Sequence, residues 1–308
     1  MKVYQGLENF EGVKNAVVTA GTFDGVHLGH QKIISRLKEI AKEIDGETLL
    51  ITYSPHPRTL LQPDSPVQLL NSLDEKLDLL EEFGIDHVLV IPFTKEFSRT
   101  TSIEFIRDIL VNLIHTKKLV IGYDHQFGRN REGSFEHLKE CAPLYGFDLE
   151  EIQAEDIDNV NVSSTKIRRA LVEGEIEKVN SYLGHSYILK GVVVNGKRLG
   201  TEIGFPTANI SFSQVDKLLP KYGVYAVWVD YEGGRAKGML NIGVRPTVNR
   251  ENDIPSIEVN IFEEVGDLYG KELKVSFQKR IRDEISFDNL DGLKEQLSKD
   301  KEAVINAI

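Results

Sequence analysis

His27 and His30 stand three residues apart in GTFDGVHLGH, Gly21 to His30, directly behind the apolar run Ala16-Val17-Val18-Thr19-Ala20. At the start of a helix that spacing puts both imidazoles on one side, where they can meet one anionic group. Histidine is neutral or cationic near neutral pH, which suits it to charge that grows only in a transition state. Gly21, Gly25 and Gly29 punctuate the same stretch. A strand, a glycine-rich turn and a helix start together offer backbone N–H groups and a positive helix end to phosphate. The segment reads as a nucleotide site.

Five further clusters carry chemistry. In TYSPHP, Thr52 to Pro57, Pro55 and Pro57 stiffen a loop that holds Tyr53 beside His56. Such a loop is either a ledge for a flat aromatic ligand or a rigid connection with no ligand. GYDHQFGRNREGS, Gly122 to Ser134, sets Asp124 and Phe127 ahead of Arg129 and Arg131, a phosphate loop or a solvated turn. SSTKIRRAL places Ser164, Thr165, Lys166 and Arg168 at a helix start. These residues make an anion cradle, or else a capped helix with surface cations. In LGTEIGFPTANI, Leu199 to Ile210, Gly200 and Gly204 let backbone approach a ligand, and Pro206 locks the path. Thr207 and Asn209 lie two residues apart in an extended segment, so their oxygens share one side, fit for a magnesium ion or a phosphate. In Ser256-Ile257-Glu258-Val259-Asn260 one carboxylate sits within an apolar strand. Pointing into a barrel, Glu258 would need a partner to remain ionised, and such an acid more often serves function than structure.

The elements that must position these residues follow two patterns. Up to about Leu183, apolar strands alternate with amphipathic helices. The strands are Ala16–Ala20, Glu47–Tyr53, His87–Ile91, Lys118–Gly122 and Phe147–Ile152, and the helices are Ile33–Ile44, Leu73–Phe83, Ile103–Ile114 and Phe135–Tyr145. Ser72 is placed to cap the second helix and Gly84 to end it. Alternation of this kind predicts a parallel sheet with right-handed crossovers and a ligand site at its carboxyl edge. Beyond Leu183 come short β-branched and aromatic runs at Tyr187–Val194, Tyr222–Asp230, Lys237–Ile242, Ile257–Phe262 and Leu273–Phe277, then a closing helix, Asp291–Ile308. Close spacing without helices predicts a small antiparallel barrel. The fold class is thus α/β with a Rossmann-like parallel-sheet domain over residues 1–182 and an antiparallel β-barrel over 183–308.

The chain has 308 residues, one cysteine (Cys141) and a formal net charge of −11. From Leu183 onward 17 basic residues face 18 acidic ones, whereas the first part holds 20 against 30. An acidic field repels nucleic acid at long range. Phosphate binding in the first part must therefore use local donors and a metal ion. A single cysteine excludes an internal disulfide and favours the cytoplasm. No apolar run is long enough for a membrane span, and the first residues lack the apolar core of a signal peptide.

In order, GTFDGVHLGH, TYSPHP, GYDHQFG, SSTKIR, GFPTAN, GVYA (Gly223 to Ala226), NIGVRPT (Asn241 to Thr247), IEV and DLYG (Asp267 to Gly270) run through the whole chain. The sequence resembles the prokaryotic bifunctional riboflavin kinase/FMN adenylyltransferases over essentially its full length. The resemblance implies that the second domain phosphorylates riboflavin with ATP to give FMN. The first would then join FMN to AMP from a second ATP, giving FAD and pyrophosphate. It implies ATP contacts from Gly21, Phe23, His27, His30, Ser164, Thr165 and Arg168 in the first domain, and from Gly200, Gly204 and Thr207 in the second. His27, His30 and Arg168 would serve adenylyl transfer, and Glu258 would be the general base of the kinase. Tyr53, Pro55, His56, Pro57, Asp124 and Phe127 would hold flavin, and Thr207 and Asn209 magnesium. The expected partners are small molecules only, with no nucleic acid or membrane, and a monomer or weak oligomer. His125 stands where the family usually has an aromatic residue, Thr201 where many members have arginine, and Glu263-Glu264 where Asp is common. Two rivals compete with this reading: a class I aminoacyl-tRNA synthetase, which shares the HxGH signature, and a flavin sensor without turnover. The acidic balance opposes the first, and the intact Thr207, Asn209 and Glu258 oppose the second.

Overall fold

Six parallel strands form the first of two compact units, Met1–Ser164, in the computed structural model. The structure describes residues 1–123, 126–153, 162–196, 200, 203–212, 216–244, 255–287 and 289–308. The strands are β1 (Lys2–Gln5), β2 (Val17–Ala20), β3 (Thr48–Ser54), β4 (His87–Pro92), β5 (Lys118–Gly122) and β6 (Asp148–Ile152). Their order across the sheet is β1-β4-β3-β2-β5-β6. All four residues of β2 are buried, as expected of a strand covered on both faces. The edge strand β1 escapes the sequence reading because only Tyr4 of its four residues is buried, leaving no apolar run to see.

From β2 the chain steps outward to β3 and β4, then returns to the other side of β2 for β5. Strand order reverses there, and ligands of open parallel sheets bind beyond the strand ends at such a point. The GTFDGVHLGH segment leaves the end of β2, so topology delivers it to the expected edge. The helix Leu28–Glu43 begins earlier than its apolar spacing suggests, because His27 caps it. Ser72 caps Leu73–Glu82 in a full capping box with Glu75, and Gly84 follows with a φ of 80°. The third expected helix is a short α-helical start, Ser102–Glu104, running into a π-helical stretch, Phe105–Leu113.

The second unit, Thr165–Ile308, is built on a closed antiparallel barrel. Its strands are β7 (Tyr187–Val194), β8 (Ala208–Ser211), β9 (Gly223–Tyr231), β10 (Gly234–Val244), β11 (Pro255–Ile261) and β12 (Glu272–Arg282), closing in the order β10-β11-β8-β7-β12-β9. Tyr225, Leu240, Val259 and Phe277 are fully buried in this unit, and the rings of Tyr225 and Phe277 meet edge to face at 5.3 Å. The helix Leu290–Ala307 packs on β9, β10 and β12. Arg282 pins it, donating from Nε and Nη2 to the Asp300 carboxylate at 2.9 and 2.7 Å.

The two units divide between Ser164 and Thr165, ahead of the boundary at 182 that the sequence suggests. The reason is packing. The helix Ile176–Leu183 lies against β7 and β12, with Ile176 and Val179 fully buried and Leu183 at 1% exposure. Asn180 adds two hydrogen bonds, donating to the Phe277 carbonyl at 2.9 Å and accepting from the Tyr187 N–H at 2.8 Å. A fragment 165–308 should therefore be more stable than 183–308 by on the order of 5 kcal/mol, from the lost burial of Ile176 and Val179 and the lost Asn180 bonds. Thermal unfolding followed by circular dichroism would show it, and equal midpoints would refute the packing argument.

Candidate active sites

The loop after β2 begins where the Gly21 N–H donates to the Ile51 carbonyl at 3.0 Å. Phe23 and Val26 then adopt left-handed backbone, with φ of 47° and 39°, around Gly25 at 90°. Two non-glycine residues in that region cost about 1–3 kcal/mol each, and persist only where neighbours force them. Here the forcing contacts are visible. Phe23 and Val26 are buried, at 3% and 0% exposure. The Asp24 carboxylate accepts from the N–H groups of Leu70 and Asn71 at 2.9 and 3.2 Å. The Asp24 carbonyl accepts from the Ser164 hydroxyl at 3.0 Å.

His27 caps the helix, its Nδ1 accepting from the His30 N–H at 3.4 Å. The two imidazoles stack, with centroids 3.7 Å apart and planes within 14°, and the Phe23 ring lies 4.7 Å from that of His30. The spacing thus does bring both rings together. Burial, then the neighbouring His27, then Lys76 hold the His30 pKa well below the usual histidine range. His30 is therefore neutral at pH 7 and offers hydrogen bonds rather than charge. Its Nδ1 is buried with no hydrogen-bond partner among the described residues.

The cation beside it is one that the sequence motifs do not contain. Lys76 is buried on the helix Leu73–Glu82 and donates to the Thr22 carbonyl at 3.0 Å and to the Thr52 hydroxyl at 3.1 Å. Burial lowers its pKa to about 8, opposed by the charge of Asp24, so it stays cationic at pH 7. A signal exists in the sequence: Lys76 lies three residues after Leu73 and three and four before Leu79 and Leu80, on the apolar stripe of its helix.

At the end of β3, Tyr53 packs edge-on against Phe93 at 5.8 Å and lies 6.0 Å from Phe97. Burial pushes its phenol pKa upward. His56 and Pro57 act locally. His56 Nδ1 accepts from the Arg58 N–H at 3.1 Å, and Pro57 opens the helix Pro57–Leu61. Pro55 is exposed. Phe127 faces the core, 6% exposed and 5.5 Å from the Phe105 ring. A ring in that position supports the sheet and leaves little surface for a flavin. Asp124 and His125 lie outside the described residues, as does Thr201. Ser164 belongs to the first unit, whereas Thr165, Lys166 and Arg168 continue the same helix in the second.

In the barrel, Ile257 and Val259 are buried at 2% and 0% exposure and Glu258 between them is half-buried. Alternation along a strand then turns Glu258 to the outer face, correcting the expectation of an inward acid. Register agrees. Glu258 pairs with Asn241 on β10 and Asn209 on β8, and Asn209 pairs with Val194, which is 40% exposed. On that face Thr207 Oγ1 donates to Glu258 Oε2 at 3.4 Å, and neighbouring elements cover Asn209 and Asn260 to 6% and 4% exposure. Ahead of β8 the chain is tight. Phe205 N–H donates to the Gly200 carbonyl at 2.8 Å, and a side chain at Gly200 would clash with the Phe205 carbonyl oxygen. Gly204 has a φ of 84°, and Asn260 Nδ2 donates to the Pro206 carbonyl at 2.6 Å. The segment therefore holds Thr207 and Asn209 beside Glu258, three oxygen-bearing side chains on one face.

Residues 10–166 match the family model described as FAD synthetase, and residues 183–308 match riboflavin kinase. A bifunctional riboflavin kinase/FMN adenylyltransferase of Escherichia coli is 37% identical over 98% of this chain and 96% of its own length. One from Listeria monocytogenes is 37% identical over 94% and 91%. A solved structure described as a macrolide-efflux protein from Streptococcus pneumoniae matches with a TM-score of 0.88 at 28% identity, over 99% of both chains.

The neutral His30 has a consequence for stability. Its folded pKa is depressed, so below about pH 6.5 the unfolded chain takes up a proton that the folded site refuses. This contribution is constant above that pH and is lost as pH falls through it, by at most about 1.4 kcal/mol per pH unit. Urea unfolding of the first unit between pH 7 and 5 should show the loss, and His30→Gln should flatten it. An unchanged slope in the variant would show that His30 titrates normally.

Proposed function

The chain belongs to the bifunctional riboflavin kinase/FMN adenylyltransferase family, and from that premise we propose which of its residues carry each reaction. The enzyme phosphorylates riboflavin to FMN with ATP, and transfers the adenylyl group of ATP to FMN to give FAD and pyrophosphate. ATP, riboflavin, FMN and FAD are its substrates and products. The observation that carries the assignment of sites is the grouping of Glu258 with Thr207 and Asn209 on one barrel face, in a different unit from the His27–His30 stack at the sheet edge.

In the kinase step an alcohol must lose a proton. Glu258 is the general base: its carboxylate accepts the proton of the riboflavin 5′-hydroxyl as that oxygen bonds to the γ-phosphorus and the bond to ADP breaks. Thr207, donating to one carboxylate oxygen, orients it. Gly200 and Gly204 shape the backbone that borders the ATP phosphates. Magnesium takes few protein ligands and keeps waters and phosphate oxygens. The Thr207 hydroxyl and Asn209 amide oxygen suit that demand, and bound magnesium would neutralise phosphate charge there. Among the described residues no group of three or more His, Cys, Asp and Glu could hold a metal by itself.

Adenylyl transfer needs no base, because the FMN phosphate is already anionic. Its oxygen bonds to the α-phosphorus as the bond to pyrophosphate breaks, and catalysis is positioning plus neutralisation of charge. Gly21 and Phe23 shape the ATP loop, and His27 and His30 hydrogen-bond to the nucleotide. Ser164, Thr165 and Arg168 bind phosphate, and Tyr53, Pro55, His56, Pro57 and Asp124 serve the flavin. The net charge of −11 supports small-molecule substrates over nucleic acid, and a monomer or weak oligomer. The single cysteine, Cys141, is buried as a free thiol and supports a cytoplasmic enzyme. No helix among the described residues is long and apolar enough to cross a membrane.

Incubation with riboflavin, ATP and magnesium, followed by chromatography, should show FMN and then FAD. Glu258→Gln should lower FMN formation about a hundredfold or more with little change in riboflavin affinity, while FAD formation from supplied FMN continues. Near-normal kinase turnover from pH 6 to 8 would reduce Glu258 to a structural acid. Conversely, His30→Ala should cost about a hundredfold in adenylyl transfer and leave FMN formation intact. Equal losses in both would mean misfolding.

A further inference from the structure

We propose that Lys76 is a positioning residue for adenylyl transfer, holding the first turn of the nucleotide loop against the sheet and placing a fixed positive charge there. The inference rests on the assignment of that reaction to the loop after β2. Three observations place Lys76 there. Its ammonium donates to the Thr22 carbonyl, inside the loop, and to the Thr52 hydroxyl, at the end of β3. The Thr52 hydroxyl in turn donates to the same Thr22 carbonyl at 3.2 Å. These three groups close a small buried ring that fixes the first turn of the loop against the sheet.

The ammonium has three protons, and two are used in this ring. Structure alone would be served more cheaply by an apolar residue, because burying a charge costs free energy. Lys76 is 8% exposed. Ionic groups bearing on the pair come from three elements: His27 at the cap of the opening helix, Lys76 on Leu73–Glu82, and Asp24 in the loop. Among them His27 and Lys76 act against a charge on His30. Lys76 therefore supplies a positive charge from a fixed position and leaves the imidazole its hydrogen-bonding role. Preorganised charge in a dry site needs no reorganisation when negative charge develops on transferring phosphoryl groups.

The test uses the full-length enzyme with FMN and ATP supplied, read as kcat and kcat/KM across pH 5 to 9. FMN formation from riboflavin serves as the control for folding of the second unit. Lys76→Met should lower kcat for FAD formation about tenfold or more, and move the acid limb of the profile upward as one of the influences opposing a charge on His30 is removed. Lys76→Arg, which keeps the charge, should leave the acid limb in place. Lys76→Gln can still donate to Thr22 and Thr52 but carries no charge, so it should fold and still move the limb. It decides the matter if the Met variant fails to fold. An acid limb unmoved in the Gln variant overturns the proposal, as does wild-type turnover in the Met variant. Absence of FAD formation by the unaltered enzyme would instead overturn the assignment of the reaction.

Discussion

Everything at the sheet edge depends on a loop that the chain would not adopt by itself. Phe23 and Val26 sit in left-handed backbone, and such strain survives only under external restraint. Asp24 supplies much of that restraint. A single carboxylate oxygen takes the N–H groups of Leu70 and Asn71, tying the loop to the segment that leads into the helix Leu73–Glu82. The same residue's carbonyl takes the Ser164 hydroxyl. One aspartate thus joins three stretches of sequence that are far apart in the chain. Without it the two imidazoles would have no fixed platform on which to stack.

The barrel solves a comparable problem by closure rather than by clamping. Its strands leave no free edge, and interior residues such as Tyr225 and Phe277 fill it. A closed barrel cannot host a reactive carboxylate inside without a large desolvation cost. The outer face can, provided neighbouring elements partly cover it. Glu258 takes that position, half-buried, with Thr207 for a partner. The same face carries Asn209 and Asn241 in register with it. The Arg282 pair with the buried Asp300 fixes the last helix against β9, β10 and β12.

Much of this is legible in the residues, and the omissions have physical causes. Parallel and antiparallel halves follow from the spacing of apolar runs, and Ser72 and Gly84 bound their helix as capping chemistry requires. The His27–His30 pair follows from helical spacing. Strand β1 is hidden because an edge strand needs no apolar run. The orientation of Glu258 is not legible, because a strand's alternation fixes two faces but not which one is inside; only register across β8 and β10 decides that. Phe127 belongs to a glycine-rich motif that suggests a ligand, yet its ring completes the core against Phe105. Lys76 is easily passed over because a lysine in a helix reads as surface. Its partners, Thr22 and Thr52, lie in two other elements and become neighbours only when the sheet forms.

The two sites also divide the labour of charge in opposite ways. On the proposed assignment the kinase face must remove a proton, and the half-buried Glu258 carboxylate on the outer face meets that need. The adenylyl site must stabilise anions within a part of the chain carrying 30 acidic and 20 basic residues. Long-range attraction for ATP is therefore weak there, and diffuse surface lysines would be screened within about 8–10 Å at ordinary salt. A buried ammonium acts at short range through a low dielectric, where the same charge has far greater effect. Its cost is carried by hydrogen bonds to Thr22 and Thr52 and by the nearby Asp24 carboxylate. A histidine charged beside it would repel it, so the stack works best with His30 neutral. The acidic composition of the first part and the neutrality of its signature histidine are, on this account, two sides of one electrostatic arrangement.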